Sequence, residues 1–338
     1  MKSFARVVSI LLTISPLFAE NAAPASTRLA VQGTRFTLNG TPTFLYGLSM
    51  YGALGAPEPQ LIADLDRAKS LSVNWVRVWA IWSGFDNNCS AVNPDGSPRE
   101  PFLAKLRWLV AECDRHGIVV DVTLSRGNDI AGKPPIQELP AHQKAVETLI
   151  AALKDRTNWY LDLSNERNIR DKRFTSIDDL KALRLRTREL MPSLLVTASD
   201  GGDIGPDELG HYLLDVGLDF VCPHRPRDAK SPAQTEAKTR EYLAQMKALG
   251  RVIPVHYQEP FRRGYSSGWE PAAADFVADA KAALDGGAAG WCLHNGDTRG
   301  APDGRPRRSL DLRDTSLFTQ LDPEEQKALI QLASLFQP

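Results

Sequence analysis

The sequence lacks the surplus of one charge sign that would point to a nucleic-acid partner. Its 338 residues carry 40 Lys and Arg against 41 Asp and Glu, for a formal net charge of -1 at pH 7. Binding along a phosphate backbone requires an excess of basic residues, so no nucleic-acid partner is expected. Hydrophobic residues make up 43% and charged residues 24% of the chain. This composition is typical of a folded globular protein and excludes a disordered one.

The motifs of the common metal-dependent and dinucleotide-dependent enzymes are absent as well. There is no CxxC, no HExxH and no HxH, so neither a structural zinc site nor a hydrolytic metal site is indicated. No glycine-rich dinucleotide turn follows the first predicted strand. We therefore expect neither a metal ion nor an organic cofactor.

Cysteine is scarce, with four residues at positions 89, 113, 222 and 292. Four cysteines allow three complete pairings, and the sequence does not choose among them. Cys89 and Cys113 lie in neighbouring segments and could pair if the protein is exported. Buried free thiols are the alternative.

A long apolar run occurs at the N terminus. Lys2 and Arg6 precede residues 7–18, which are almost wholly apolar. This is the length of a signal-peptide core and is too short to span a bilayer. We predict cleavage between residues 19 and 25 and a secreted or periplasmic protein, with an uncleaved anchor as the alternative. No later run is long enough for a transmembrane helix, so no membrane association is expected after cleavage.

The remaining chain, residues 26–338, alternates between strand and helix patterns eight times. The predicted strands cover residues 43–49, 75–79, 118–124, 159–163, 194–198, 219–222, 252–256 and 289–293. The helical patterns cover residues 57–71, 102–116, 141–154, 177–190, 206–215, 232–249, 271–284 and 323–336.

Short apolar strands separated by helices are typical of a parallel sheet that is buried on both faces. Eight such units predict a single α/β domain with the (β/α)8 TIM-barrel fold, and an open doubly wound sheet is the competing fold. Asn39-Gly40 is a hairpin turn signal within residues 34–42. We therefore expect a short N-terminal β-hairpin that covers the barrel floor.

Two glutamates mark the expected active site, because the functional residues of these barrels lie at the C-terminal ends of the strands. Strand four runs into Asn165-Glu166, and strand seven runs into Gln258-Glu259. Glu166 and Glu259 are 93 residues apart, which matches three strand–helix units of about 31 residues each. Glycosidic cleavage requires two facing carboxyl groups, one protonated and one ionised.

Other side chains at the strand ends complete the predicted site. Arg77 lies among apolar strand residues and needs a carboxylate partner, for which Glu259 is the candidate; a purely structural acid is the alternative. His224 follows strand six and is either a substrate-binding or a structural histidine. Aromatic side chains can stack on sugar rings. The predicted substrate-binding residues are Asn165, Arg77, His224, Tyr257, Trp291, Trp79, Tyr51 and Asn295.

These segments resemble glycoside hydrolase clan A, the retaining (β/α)8 enzymes, and within it the cellulase and mannanase type of family. The resemblance runs from about residue 34 to residue 295, and its most specific part is YLDLSNE over residues 160–166. It implies that Glu166 is the acid/base and that Asn165 binds the substrate 2-hydroxyl. It also implies that Glu259 is the nucleophile, supported by Arg77, and that Trp291 forms the floor of the sugar site. Arg167 departs from the pattern, in which a proline often follows the acid/base.

The resemblance implies a retaining glycosidase that cleaves a β-linked oligosaccharide or polysaccharide, acting as a monomer without a cofactor. A transglycosylase with the same residues and a non-catalytic glycan-binding barrel are the alternatives. Burial and a neighbouring carboxylate are expected to raise the pKa of Glu166, while Arg77 keeps Glu259 ionised.

A further hypothesis is that arginines of the mouth loops bind an anionic group on the sugar, such as a uronate or sulfate. The alternative is a solvated mixture with the aspartates of the same loops. The arginines concerned are Arg126, Arg167, Arg170, Arg225, Arg227, Arg262 and Arg263.

Overall fold

The computed structural model describes residues 26–84, 87–127, 136, 138–265, 268–297 and 309–337. The predicted signal peptide, residues 1–25, lies outside the described residues. No helix within the described ranges is both long enough and apolar enough to cross a membrane.

The strands follow in chain order through the described residues. They are β1 (Leu29–Gln32), β2 (Arg35–Leu38), β3 (Thr41–Thr43), β4 (Leu45–Met50), β5 (Trp75–Trp79), β6 (Ser83–Gly84), β7 (Asn87–Asn88), β8 (Val119–Thr123), β9 (Trp159–Asp162), β10 (Val196–Thr197), β11 (Ser199–Asp200), β12 (Cys222–Pro223), β13 (His256–Tyr257) and β14 (Gly290–Leu293).

The α-helices alternate with these strands. They are α1 (Glu58–Ser70), α2 (Phe102–Arg115), α3 (Leu139–Leu153), α4 (Ile177–Leu190), α5 (Pro206–Gly210), α6 (Ser231–Ala248), α7 (Ala273–Gly286), α8 (Leu317–Gln320) and α9 (Pro323–Leu335). A 3-10 turn precedes α1, and a π-helical turn over His211–Val216 extends α5.

Parallel pairing closes the sheet into an eight-membered barrel. One sheet has the order β10-β9-β8-β5-β4-β14-β13, and β11 continues from β10 to pair with β12. A parallel bridge between Val221 and Val255 joins the sixth and seventh strands and completes the ring. The predicted (β/α)8 barrel is therefore confirmed.

Strand β5 illustrates why these sequences form barrel strands. All five of its residues are buried. Trp75 packs in the barrel interior, whereas Val76 and Val78 belong to the cluster between sheet and helices. Both faces of a parallel barrel strand are covered, so its residues are mostly apolar. The face toward the helices is apolar throughout, whereas the face toward the barrel interior tolerates a polar residue that finds a partner there.

The N-terminal segment forms a three-stranded antiparallel sheet, β1-β2-β3. The predicted hairpin accounts for two of these strands, and the structure adds a third. Asn39 and Gly40 have φ values of 52° and 84°, as a tight hairpin turn requires. Phe36 from this sheet is fully buried and packs edge-on against Phe220, with ring centroids 5.0 Å apart. The sheet thereby fills the floor of the barrel.

All four cysteines are free and buried. A disulfide between Cys89 and Cys113 is thus not formed, and the alternative of buried thiols is the one observed. Cys222 and Cys292 belong to the cluster that fills the barrel interior, where they act as small apolar side chains.

Candidate active site

Arg77 lies at the centre of the site, buried inside the barrel with no exposed side-chain surface. Its Nη1 contacts Oε1 of Glu259. Its Nη2 donates to Oδ2 of Asp162 at 3.1 Å and to Oδ1 of Asn165 at 2.9 Å, and its Nε lies 3.3 Å from Oδ2 of Asp121. One guanidinium group therefore connects strands β5, β8 and β9 with the loop after β13, and the expected pairing of Arg77 with Glu259 is present.

Glu259 follows β13 and is surrounded by cationic and imidazole groups. Its Oε2 lies 2.9 Å from Nη2 of Arg227, 3.5 Å from Nε2 of His294 and 3.6 Å from Nδ1 of His224. Burial favours the neutral acid, but the neighbouring imidazoles of His224 and His294 and the guanidinium groups of Arg77 and Arg227 outweigh it and lower the pKa of Glu259 well below its usual value. Glu259 is therefore ionised, as expected.

Glu166 follows β9 and has a left-handed backbone, with φ of 45°. Its Oε2 contacts Nη1 of Arg173, and its Oε1 lies 3.3 Å from both Nδ1 of His224 and Nη2 of Arg227. Burial and Glu259 raise the pKa of Glu166, but the hydrogen bond from His224 and the charge of Arg227 prevail and lower it. The expectation of a raised pKa is wrong for this arrangement, because His224 and Arg227 approach Glu166 closely enough to outweigh burial and the neighbouring carboxylate.

The two carboxylates lie close together across the barrel mouth. An oxygen of Glu166, an oxygen of Glu259 and a ring nitrogen of His224 all lie within 4.8 Å of one another. These three groups could in principle ligate a divalent cation. Arg77 and Arg227 already compensate the two carboxylates, and their positive charge opposes a metal ion at the same place.

A cavity of about 260 Å³ opens beside Glu166. Ile169 and the backbone of Gly201 and Gly202 form part of its wall. The remaining lining residues are Glu166, Arg173, His224, Arg225, Arg227 and Tyr265. The cavity is thus polar and rich in arginine.

Two predicted aromatic residues lie beside the carboxylates. The hydroxyl of Tyr51 is 2.9 Å from Nε2 of His294, which in turn faces Glu259. Trp79 stacks on Tyr51 with a centroid distance of 6.3 Å, and Cζ of Arg77 lies 4.8 Å from the Trp79 ring centroid. Tyr51 and Trp79 therefore form an aromatic wall next to the site, each only 4% exposed.

Tyr257 and Trp291 do not reach the mouth, so the structure contradicts their assignment to the sugar site. Nε1 of Trp291 donates to Oδ2 of Asp279 on α7 at 2.7 Å. The hydroxyl of Tyr257 is 2.6 Å from Oγ1 of Thr239 on α6. Side chains alternate along a strand, and these two positions point outward to the helix layer.

Asn295 is also not available to a substrate. Its Oδ1 accepts a hydrogen bond from the backbone nitrogen of Ser49 at 2.9 Å, and its Nδ2 donates to the carbonyl oxygen of Ser49 at 3.0 Å. The side chain is fully buried. Asn295 therefore joins the ends of β14 and β4 instead of facing the cleft.

Five of the seven mouth arginines are paired with, or stacked on, side chains other than Glu166 and Glu259. Arg126 pairs with Asp179, Arg167 with Glu208 and Tyr212, Arg225 with Asp203 and Arg263 with Asp322, and Arg170 stacks on Phe174. The remaining two, Arg227 and Arg262, both lie against the ring of Tyr265.

Several residues of the site were not identified from the sequence. Asp121 and Asp162 are lone acidic residues in apolar strands, and this pattern could have identified them as partners of Arg77. Arg173 lies in the loop after β9, and no periodicity or motif distinguishes it. His294 follows the eighth strand, and no motif in the sequence distinguishes it.

The comparisons with known proteins bear on the fold. No protein-family model matches the chain, and no curated protein matches its sequence. Solved structures do match. An endo-1,4-β-mannanase from Rhizomucor miehei is 15% identical with a TM-score of 0.62, covering 91% of this chain and 99% of its own.

Two further structures are similar to the same extent. A glycoside hydrolase family 5 protein from Bacteroides vulgatus is 14% identical with a TM-score of 0.67, covering 92% of this chain and 71% of its own. A β-1,4-D-mannanase from Cryptopygus antarcticus is 14% identical with a TM-score of 0.61, covering 91% and 95%. At these identities the similarity establishes the shared barrel.

The placement of Trp291 predicts a structural role. Trp291→Phe removes the donor to the buried carboxylate of Asp279, so we expect the free energy of unfolding to fall by about 2–3 kcal/mol. Urea denaturation measures this change. Trp269→Phe, at a half-buried position, is the control. Equal stability of the two variants would contradict the assignment.

The position of Arg77 predicts a larger loss in the free energy of unfolding than the loss expected for Trp291→Phe. Arg77→Gln leaves Asp121, Asp162 and Glu259 without their shared counter-charge, so we expect a loss of about 3–5 kcal/mol in the free energy of unfolding. Arg170→Gln, at an exposed position, is the matched control and should change stability by less than about 1 kcal/mol. A similarly small loss for Arg77→Gln in urea denaturation would disprove this role.

Proposed function

We propose that this protein is a retaining glycoside hydrolase that acts on a β-linked glycan. The observation that carries the proposal is the close approach of Glu166 and Glu259 at the ends of β9 and β13, where one oxygen of each carboxylate lies within 4.8 Å of the other. Retaining glycosidases hold their carboxyl groups about 5–5.5 Å apart, whereas inverting enzymes need about 6.5–9.5 Å to admit a water molecule. The short separation favours the retaining mechanism.

Glu259 is the nucleophile in this proposal. Arg77 contacts Oε1 from inside the barrel, so Oε2 is the oxygen that faces the cleft. Oε2 attacks the anomeric carbon and forms a glycosyl ester while the bond to the leaving oxygen breaks. Since its pKa is lowered, Glu259 is ionised, as a nucleophile must be, over a wide pH range.

Glu166 is the acid/base. It donates its proton to the leaving oxygen in the first step and removes a proton from water in the second, when water attacks the glycosyl ester. The lowered pKa means that Glu166 is mostly ionised near neutrality. A substrate that displaces Arg227 from Oε1 would remove one source of this lowering and favour the protonated form.

Asn165 and Arg77 act as positioning residues. Arg77 fixes one oxygen of Glu259, and it also fixes the orientation of the Asn165 amide by donating to its Oδ1. The amide nitrogen of Asn165 is then the group available to a sugar hydroxyl. This agrees with the role that the resemblance implies for Asn165.

The similar mannanase structures make β-linked mannans the first polysaccharides to assay. We also propose that the enzyme acts as a monomer. Export to the periplasm or the medium, predicted from residues 1–25, would bring the enzyme to such polymers.

Variants of the two glutamates test the function and separate their roles. We expect Glu166→Ala and Glu259→Ala each to lose at least about 1,000-fold in kcat on a panel of aryl glycosides and polysaccharides. Azide should rescue both. In Glu166→Ala, azide attacks the glycosyl ester and gives an azide with the substrate's anomeric configuration. In Glu259→Ala it attacks directly and gives the opposite one.

Product analysis by NMR distinguishes the outcomes. A first-formed sugar of inverted configuration would exclude the retaining mechanism. Transfer to an added acceptor sugar at the expense of hydrolysis would indicate a transglycosylase. A protein that binds glycans equally well as wild type and Glu166→Gln but hydrolyses none would be the non-catalytic barrel.

The ion pair between Arg173 and Glu166 predicts a shift in pH dependence. Arg173→Gln removes a positive charge that favours ionised Glu166, so the pKa of the acid rises. The protonated form then persists to higher pH, and the alkaline limb of the kcat/KM profile moves upward by about 0.5–1 pH unit. Lys172→Gln, at the exposed neighbouring position, is the control. An unmoved or lowered limb would contradict this assignment.

A further inference from the structure

Arg262 is a buried arginine that has no counter-charge among the residues the structure describes. It follows Glu259 by three residues and is 8% exposed. Its Nε is buried without a hydrogen-bond partner, and no carboxylate of the described residues pairs with its guanidinium group. Buried arginines are normally paired, because an uncompensated charge in a low-dielectric environment is costly. Arg262 thus has unused capacity to bind an anion.

Arg262 shares the ring of Tyr265 with Arg227, the arginine that contacts both carboxylates. Its Cζ lies 5.0 Å from the centroid of Tyr265, and Cζ of Arg227 lies 4.5 Å from the same ring. Burial lowers the pKa of His294; Glu259 opposes this shift, and Arg262 and Arg227 add to it. Both arginines therefore act on the environment of Glu259.

Arg227 lies where the reacting bond would have to lie. Its Nη2 is 2.9 Å from Oε2 of Glu259 and 3.3 Å from Oε1 of Glu166. An anomeric carbon that approaches Oε2 must displace this group. A neutral sugar would break the ion pairs of Arg227 with Glu166 and Glu259 and give no charge in return. A sugar with an anionic substituent would supply a new partner for the displaced guanidinium group.

We propose that the glycan cleaved at this site carries an anionic substituent, a carboxylate or a sulfate ester, which is bound by Arg262 and by the displaced Arg227. The inference rests on the proposed glycoside hydrolase function and names the substrate class for it. Arg262 binds the substituent without changing its own position. Arg227 leaves the two carboxylates and pairs with the same substituent. Planar guanidinium groups suit both anions, since each offers two oxygens to a pair of N–H donors.

The same displacement links recognition to catalysis. When Arg227 leaves Oε1 of Glu166, the carboxyl group loses a positive neighbour and is more readily protonated. When it leaves Oε2 of Glu259, that oxygen is freed to attack. An anionic substrate therefore prepares both glutamates, whereas a neutral substrate must displace Arg227 without compensation.

Paired substrates test the proposal. Acidic polysaccharides from plants, algae and bacteria are assayed as isolated and after neutralisation, by carboxyl reduction of uronates in one arm and by solvolytic desulfation in the other. Neutral mannans and glucans complete the panel. We expect the anionic form to have a kcat/KM about 10–100-fold above that of its neutralised counterpart, the factor typical of charge-assisted hydrogen bonds. A preference lost on carboxyl reduction identifies a carboxylate, and one lost on desulfation identifies a sulfate ester.

Variants connect the preference to Arg262. Arg262→Gln should reduce the ratio of kcat/KM for the anionic substrate to that for its neutralised counterpart to near one, whatever its rate on the neutralised substrate. Arg170→Gln, which removes an arginine held on Phe174, should leave the preference intact. Calorimetric binding of the same oligosaccharides to Glu166→Gln gives a readout independent of turnover.

The outcomes separate this inference from the function on which it rests. Equal kcat/KM values for anionic and neutralised substrates, or a preference that survives in Arg262→Gln, would overturn it. Hydrolysis of neutral mannans or glucans would then leave the glycosidase function intact. No hydrolysis or binding of any glycan by the wild type would overturn the proposed function and this inference together.

Discussion

The buried ion-pair network of Arg77 is the interaction on which the rest of the site depends. One guanidinium group contacts Glu259, Asp162 and Asn165 and lies beside Asp121. A buried arginine of this kind is tolerated only if each of its donors finds an acceptor. The requirement fixes the relative positions of three strands and of Glu259, so the barrel interior and the candidate site form one rigid unit.

The fold could be predicted from the sequence because strand and helix patterns depend on local periodicity. The helix predicted at residues 177–190 has these bounds in the structure, α4 (Ile177–Leu190). The fifth to seventh strands are shorter or shifted toward their C-terminal ends, as in β13 (His256–Tyr257) against the predicted 252–256. The length of these strands is set by their hydrogen bonds to neighbouring strands, and no local sequence pattern encodes that pairing.

The site could be predicted only in part. Glu166 and Glu259 follow from the topology, because strand ends converge at one mouth. Trp291 is a residue type that fits a sugar site, but it lies on the outer face of β14, and a one-residue difference in register decides between the two faces. Arg173 and Arg227 reach the carboxylates through loops whose course depends on tertiary packing. The hydrogen bond from His224 and the positive charge of Arg227 reverse the expected direction of the Glu166 pKa.

The left-handed backbone of Glu166 has a consequence for how such a protein changes under selection. A φ of 45° is unfavourable for a residue with a Cβ by roughly 1–2 kcal/mol, and Arg225, at 38°, lies in the same region. Glycine would relieve the strain at either position. Selection for thermal stability alone would therefore favour loss of the side chains that line the cavity. Their retention would require continued selection for whatever the cavity does.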